Sequence, residues 1–269
     1  MQHSHTAGAP AMVRAWRPPV PGVVEVFHAH FTDHAYPAHT HDAWTLLIVD
    51  DGAIRFDLDR HHHGAGGSAV TLLPPHVPHD GRAATPGGFR KRVLYLDPSV
   101  LGDDLIGSAV DEPTLLDRRL RQRLHQLHRA LDQPGDDLEA ESRLVLIRDR
   151  LRQRLRQPSD GPRPAPAALA GRLRELLDSR TTSGLTLRDA AAELHAHPTH
   201  LVRSFTTAFG LPPHRYLTGR RVELARRLLL DGHRPADVAT AAGFYDQAHL
   251  TRHFTRYLGV GPARYAART

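Results

Sequence analysis

Between Val23 and Leu96 the apolar residues come in short runs, Val23 to Phe27, Trp44 to Val49, Ala53 to Leu58, Ala69 to Leu73 and Arg92 to Leu96. Runs of this length, bounded by turn-forming residues, predict strands. Asp51-Gly52 carries a hairpin signal because glycine accepts positive φ at little cost, and Gly64, Gly66, Gly67 and Pro74-Pro75 punctuate the rest. The pattern predicts a β-sandwich or small barrel. After it the period changes. Leu116, Leu120, Leu124, Leu127 and Leu131 recur every three or four residues, as do Leu144, Ile147, Leu151 and Leu155 beyond a break at Gln133-Pro134-Gly135-Asp136-Asp137. These stripes predict a helical hairpin, spanning about 111–156, whose apolar face packs either on the β domain or against a second copy of the chain.

Residues Gln157 to Ala167 hold four prolines and one glycine, which precludes regular helix or central strand and marks a linker. From Ala168 onward helical periodicity takes over. The expected organisation is a flexible N-terminus (1–20), a β domain with its hairpin (21–156), the linker (157–167) and a helical domain (168–269).

The helical half repeats itself. A shift of 49 residues lays His200-Leu201-x-Arg203-x-Phe205, Gly210, Pro213 and Tyr216 on His249-Leu250-x-Arg252-x-Phe254, Gly259, Pro262 and Tyr265, and Ala190 and Ala192 on Ala239 and Ala241. Each copy predicts a short Ala-rich helix (187–194; 236–242), a turn and a longer helix (199–209; 247–258). Leu201 with Phe205, and Leu250 with Phe254, stand at i and i+4 and face one core, while Arg203 and Arg252 point elsewhere. Thr186 with Asp189 resembles a capping box, Asp246 can cap the second long helix, and Pro198 suits a first turn. This is helix-turn-helix logic, twice. Between the copies, 213–230 predicts a helix of 18 residues, roughly 27 Å long, enough to set two recognition helices about one duplex turn, ~34 Å, apart.

The tract Gly243-Phe244-Tyr245-Asp246-Gln247-Ala248-His249-Leu250-Thr251-Arg252-His253-Phe254, closed by Gly259, Pro262 and Tyr265, resembles the signature of the AraC-type bacterial transcription regulators. The resemblance covers about 100 residues, from Leu169 to Tyr265. It implies a seven-helix DNA-binding domain in which Thr199, Val202 and Arg203 of the first unit, and Gln247, Ala248, His249 and Arg252 of the second, face bases or phosphates of double-stranded DNA. Pro198, His200 and Asp246 are expected at the same DNA-binding surface. His197 departs from the family pattern, standing where a serine cap is usual, so weaker capping or an imidazole contact to DNA is expected there. Arg203 and Arg252 are alternatively solvent charges, and His200 and His249 alternatively pack or cap. Gln247 is well placed to grip adenine by two hydrogen bonds. Arg220, Arg221, Arg226 and Arg227 are expected on a solvated helix face.

Charge agrees with this division. The chain carries +6 overall, with 19 basic and 20 acidic residues in 1–159 against 16 and 9 in 160–269, so the halves carry −1 and +7. A near-neutral unit joined to a basic one suits a sensor fused to a polyanion binder. Cysteine is absent, which removes disulfides, thiolate metal sites and cysteine nucleophiles. No apolar run reaches the ~20 residues of a membrane span, and Met1 to Pro10 does not read as a secretory signal. A cytoplasmic location is expected.

Fourteen of the 21 histidines lie in the first half. His39-Thr40-His41 puts two rings on one face of an extended strand, and His79 follows a Pro-rich turn. In order, with Gly52, Gly67 and Pro74, these residues resemble the two short motifs of the cupin barrel. Thr45 replaces that family's Glu ligand, His76 stands at a Gly position and Ala83 at the Asn. Three imidazoles can hold zinc or another divalent ion, and the alternative is that His39, His41 and His79 are ordinary polar residues of a ligand pocket. Trp44 and Phe56 either line an effector cavity with them or belong to the core. The tract Pro75 to Arg82 looks like the tail of the second motif in AraC-type sensor domains. His61-His62-His63 is expected at an exposed hairpin tip.

The fold class implied is α+β multidomain, a cupin-like β-barrel with a helical hairpin followed by an all-α domain with two helix-turn-helix units. The function implied is a DNA-binding regulator controlled by a small-molecule effector. It would act with RNA polymerase, most commonly as an activator, possess no enzymatic activity or obligatory cofactor, and be capable of forming a homodimer. The alternative is a metal-dependent cupin enzyme fused to a DNA-binding module.

Overall fold

The computed structural model describes residues 11–133, 136–156 and 168–267. The predicted linker, Met1 to Pro10 and the Pro134-Gly135 break lie outside the described residues. Strands β1 (Met12–Trp16), β2 (Val23–Phe31), β3 (Ala35–His39), β4 (Trp44–Gly52), β5 (Ile54–Leu58), β6 (His61–Ala65), β7 (Val70–Leu73), β8 (His79–Ala83), β9 (Phe89–Leu96) and β10 (Thr114–Leu115) form two antiparallel sheets. One has the order β1-β2-β9-β4-β7-β10 and the other β3-β8-β5-β6.

Strand β4 reads as an unbroken apolar run because its sheet is covered on both faces. Leu47 and Val49 point to the barrel interior, with Phe27, Phe56, Val93 and Tyr95. Trp44, Leu46 and Ile48 point the other way, toward α3 (Arg118–Leu131) and α4 (Asp137–Leu155). Trp44 is therefore core beneath the helical hairpin, and the expectation that it lines an effector cavity is corrected: side chains alternate along a strand, so Thr45 takes the inward place. The stripe Leu120, Leu124, Leu127, Leu131, Leu144, Ile147, Leu151 and Leu155 packs on this sheet within the subunit. Leu116, read as its first member, is exposed. Asp117 caps α3, its Oδ1 accepting from Leu120 N at 3.0 Å and its Oδ2 from Arg150 at 2.7 Å. Short helices α1 (Pro98–Leu101) and α2 (Ile106–Asp111) lead from β9 toward the hairpin.

Three local expectations change. Strand β1 lies in the stretch expected to be flexible, because Met12 to Trp16 pairs with Val26 to His30 of β2. Asp51-Gly52 is a corner and not a hairpin, since β4 and β5 lie in different sheets; a Cβ on Gly52, at φ +71°, would stand 2.1 Å from the Gly88 carbonyl oxygen. The tight turn is Asp59-Arg60, both at positive φ. His61 to His63 consequently form strand β6 beyond that turn, with His63 stacked on Phe56.

The second half contains α5 (Ala168–Ser179), α6 (Leu187–Glu193), α7 (Pro198–Phe209), α8 (Pro213–Leu230), α9 (Pro235–Ala241), α10 (Gln247–Leu258) and α11 (Pro262–Ala266). The caps are local chemistry. Thr186 Oγ1 accepts from Asp189 N at 3.1 Å, Asp246 Oδ1 from His249 N at 2.6 Å, and His197 Nδ1 from Thr199 N at 3.3 Å. The imidazole thus caps α7 in place of a serine hydroxyl. Gly210 and Gly259 end the two long helices in the left-handed conformation.

The two helix-turn-helix units are buried differently. Leu201, Phe205 and Phe209 of α7 share a core with α5 and α6. Leu250, Phe254, Tyr257 and Leu258 of α10, with Val222, Ala225 and Leu229 of α8, belong to the same apolar core as the barrel interior.

Gly88→Ala is expected to destabilise the barrel by about 1 to 3 kcal/mol in denaturant unfolding, because Gly88 has φ +76° and a Cβ there would meet the Phe31 carbonyl oxygen at 1.9 Å. His28 Nε2 and His128 Nδ1 meet at 3.1 Å between sheet and hairpin. Burial lowers His28 to about 4, helped by Arg92, and holds His128 well below its usual value, helped by His28. Both bind protons more readily when unfolded, so their stability contribution is full above about pH 6.5 and is lost as pH falls toward 4. Thermal midpoints should drop between pH 7.5 and 5, and drop less in His128→Leu.

Candidate functional site

Two places concentrate chemistry, the exposed starts of α7 and α10 and the mouth of the barrel. At the first, Thr199, His200, Arg203, Asp246, Gln247, Ala248 and Arg252 are exposed, and Pro198 and Val202 are half-buried. His249 is drawn into local packing. Its Nδ1 accepts from Tyr245 N at 3.3 Å, and its ring meets Phe244 and His253. Asp246 is engaged as the cap of α10. Beside them Tyr245 is 91% exposed.

The opposite ends of α7 and α10 rest on the barrel. Arg60, from the β5–β6 turn, donates to the Thr207 carbonyl near the end of α7, and Gly210 faces Pro78. Gly259, ending α10, faces Phe31 so closely that a Cβ would fall 2.4 Å from the ring. Tyr257 of α10 packs edge-on against His39.

This docking closes a cavity of about 50 Å³ lined by Phe27, His39, His41, Thr45, Phe56, His79, Lys91 and Tyr95 from the barrel, and by Tyr257 and Leu258 from α10. His39, His41 and His79, expected together from sequence, converge here, with one nitrogen of each within 4.8 Å of the others. His76, at the motif's glycine position, adopts φ +63°, the conformation a glycine would favour. Thr45, at the glutamate position, leaves a buried hydroxyl without a partner.

Each of the three rings is held by its Nδ1. That of His39 meets the Pro37 carbonyl at 2.7 Å, that of His79 the Val77 carbonyl at 3.0 Å, and that of His41 the Glu223 carboxylate at 3.1 Å. Carbonyl and carboxylate oxygens only accept, so each Nδ1 donates and each neutral ring keeps a bare Nε2. Burial favours the neutral form in all three: it lowers His79 to about 3, holds His39 well down with help from His79 and His41, and lowers His41 against the opposing pull of Glu223. His39 Nε2 and His41 Nε2 stand 3.2 Å apart. Two imidazoles on one tetrahedral zinc ion, at about 2.0–2.1 Å each, would set their nitrogens about 3.3 Å apart. The His39–His41 pair therefore has the spacing of two ligands on one divalent transition-metal ion, His79 stands within 4.8 Å of both, and each ring has an outer-shell acceptor in place.

Lys91, the chain's lone lysine, also faces this cavity. Its ammonium lies 4.1 Å from the Tyr36 ring centre, with the Phe27 and Phe89 rings near, and burial lowers it to about 7.

Behind the histidines lies a buried ionic network across the two domains. Arg226 of α8 donates through Nη2 to Glu25 Oε1 at 2.6 Å, through Nη1 to Glu223 Oε2 at 3.0 Å, and through Nε to the Tyr265 hydroxyl at 3.2 Å. Tyr265 donates to Glu25. Arg226 is 1% exposed and stacks over Tyr95. Arg226 holds Glu223 well below the usual carboxylate range despite its burial, while burial pushes Glu25 upward against the same arginine. Arg220 pairs with Asp42 and Asp178, and Arg227 with Asp42. The expectation of a solvated arginine face on α8 is thus corrected for Arg226, which is buried, and for Arg220, which is bound between the domains.

Sequence reasoning missed Glu25, Lys91, Glu223 and Arg226. A signal existed for two of them: Arg226 shares a helix face with Val222 and Leu229, and Glu25 shares a strand face with Phe27.

Residues 21–147 match the AraC-like ligand binding domain family, and residues 190–268 a helix-turn-helix domain family. The uncharacterized HTH-type transcriptional regulator YbfI of Bacillus subtilis (strain 168) is 25% identical over 226 residues, covering 80% of this chain and 81% of that protein. The chain belongs to the AraC-type transcription regulators. The virulence regulon transcriptional activator VirF of Yersinia enterocolitica is 30% identical over 94 residues, 35% of each chain. The crystal structure of ToxT from Vibrio cholerae O395 has the same two-domain fold, with a TM-score of 0.59 at 12% identity over 95% of this chain and 96% of that one. Another ToxT structure, with a TM-score of 0.53 at 13% identity over 96% and 95%, is bound to an unsaturated fatty acid. This AraC-type chain is a DNA-binding transcription regulator with an N-terminal ligand-binding domain.

Arg226→Ala would strand two buried carboxylates. It is expected to cost about 3 to 5 kcal/mol, seen as a lower denaturation midpoint, with α8 exchanging its amide hydrogens faster.

Proposed function

We propose that the cavity between the barrel and α10 is the effector site, and that its occupancy sets how α8 and α10 rest on the barrel and hence how the two helix-turn-helix units meet double-stranded DNA. The observation that carries this reading is the lining itself: Tyr257 and Leu258 belong to the second recognition helix, and His39, His41, Phe56 and His79 to the barrel. A cavity near 50 Å³ admits water or a small group, whereas ligand pockets commonly occupy ~300–1,000 Å³. A larger effector must therefore move α10 or the barrel wall. An effector that binds one arrangement more tightly shifts the population toward it. The fatty acid bound by ToxT supports a small molecule as the effector class.

Thr199, Val202 and Arg203, and Gln247, Ala248 and Arg252, are the proposed DNA contacts, with His249 chiefly holding the turn. Pro198, His200 and Asp246 border them. The reading places the protein in the cytoplasm, where it acts as an activator with RNA polymerase and as a regulator without catalytic turnover. No helix among the described residues is long and apolar enough to cross a membrane. A second copy of the chain would meet the exposed α4 side chains Leu138, Val145 and Leu146.

Arg252→Ala is expected to cost about 1 to 3 kcal/mol in operator binding and relax the choice at one base pair. Titrations against the operator and single-base variants measure this; an equal loss on every sequence would instead assign Arg252 to phosphate. Wild-type affinity should fall steeply with salt as counterions are released, and a flat response would overturn the DNA interface.

A further inference from the structure

The three barrel histidines and the helix behind them carry an inference that rests on the proposed function and names the ligand of that site. His39, His41 and His79 stand at the positions where cupin barrels hold a divalent metal ion, and we propose that Glu223, from the DNA-binding domain, completes the outer shell of a zinc-class ion bound through their Nε2, so that occupancy of the site is tied to the seating of α8.

The hydrogen-bond directions lead to this ion. With every Nδ1 engaged by an oxygen acceptor, His39 Nε2 and His41 Nε2 present lone pairs to each other at 3.2 Å, a repulsive contact unless a cation lies between them. A metal ion uses all three lone pairs together. Metal-bound imidazoles usually donate their second nitrogen to a carbonyl or carboxylate, which orients the ring and raises its basicity. Here Pro37 and Val77 serve His39 and His79 from the sensor's own chain segment, whereas His41 is served by Glu223, 182 residues away on α8.

That difference turns a metal site into a link between domains. Glu223 is also bound to Arg226, and through it to Glu25 of β2 and Tyr265 of α11. Lifting α8 from the barrel removes the carboxylate from His41 and weakens the site. By linkage, a bound ion holds α8 down by the same factor. Metal occupancy is then read directly by the helix that joins the two DNA-reading units.

The test uses the full chain and Zn²⁺, with Co²⁺ as a spectroscopic probe. Competition against a chromophoric chelator should give one ion per chain, with tetrahedral Co²⁺ absorption that is lost in His39→Ala. Glu223→Gln should weaken Zn²⁺ binding about 10- to 100-fold. Hydrogen exchange across α8 should slow on adding Zn²⁺ to the wild type, a readout that needs no variant to fold. Absence of stoichiometric metal, Glu223→Gln binding as tightly as wild type, or unchanged exchange in α8 would each overturn the proposal. Operator titration keeps the two readings apart: a chain that binds DNA and takes no metal sinks this inference alone, while a chain that binds metal as expected and no DNA sinks the proposed function.

Discussion

A guanidinium with almost no access to water holds this molecule in one piece. Arg226 bonds a carboxylate of the barrel, a carboxylate of its own helix and a tyrosine hydroxyl from the last helix. Removing charges from water is costly, and such a cluster persists only when each member is satisfied by another. The geometry is satisfied only when α8 lies on the barrel, so the network acts as a condition on domain docking. An apolar surface of equal area would bring the domains together with less regard for register, because hydrophobic burial is non-directional.

The docking is unequal, and the inequality has a functional meaning. The second helix-turn-helix unit shares its core with the barrel interior, while the first keeps a core of its own and touches the barrel through Arg60 and Gly210, with Arg220 of α8 linking Asp178 of α5 to Asp42 of the barrel. A change in the barrel cavity therefore reaches α10 by direct contact and α7 mainly through α8. Under the proposed function, this arrangement suits control of the spacing between the two units more than control of either fold.

Much of the fold was legible in the order of residues. The helix-turn-helix repeat, its caps and the 18-residue connector are local features, set by i to i+4 spacing and by side chains bonding backbone within three residues. Strands β2, β4, β5, β7 and β9 were legible as short apolar runs, but β4 hid which residues face inward, because a strand covered on both sides loses its alternation. Trp44 was ambiguous for that reason, and only the hairpin packed behind it resolved its place. Met12 to Trp16 was missed because a five-residue edge strand depends on its partner β2 more than on its own composition. The Asp51-Gly52 signal was real as a demand for positive φ, yet identical dipeptides serve hairpins and corners.

The amino-acid sequence by itself determined the family, the two-domain division, the paired helix-turn-helix units and the identity of the three histidines, since each is written in residue type and short spacing. Tertiary structure alone decided that Glu223 and Arg226 lie buried against the barrel, that Glu223 holds His41, and that α10 closes the cavity. Those facts join residues as far apart as Glu25 and Tyr265, and a charged residue on a helix carries no local mark of whether water or another domain will meet it.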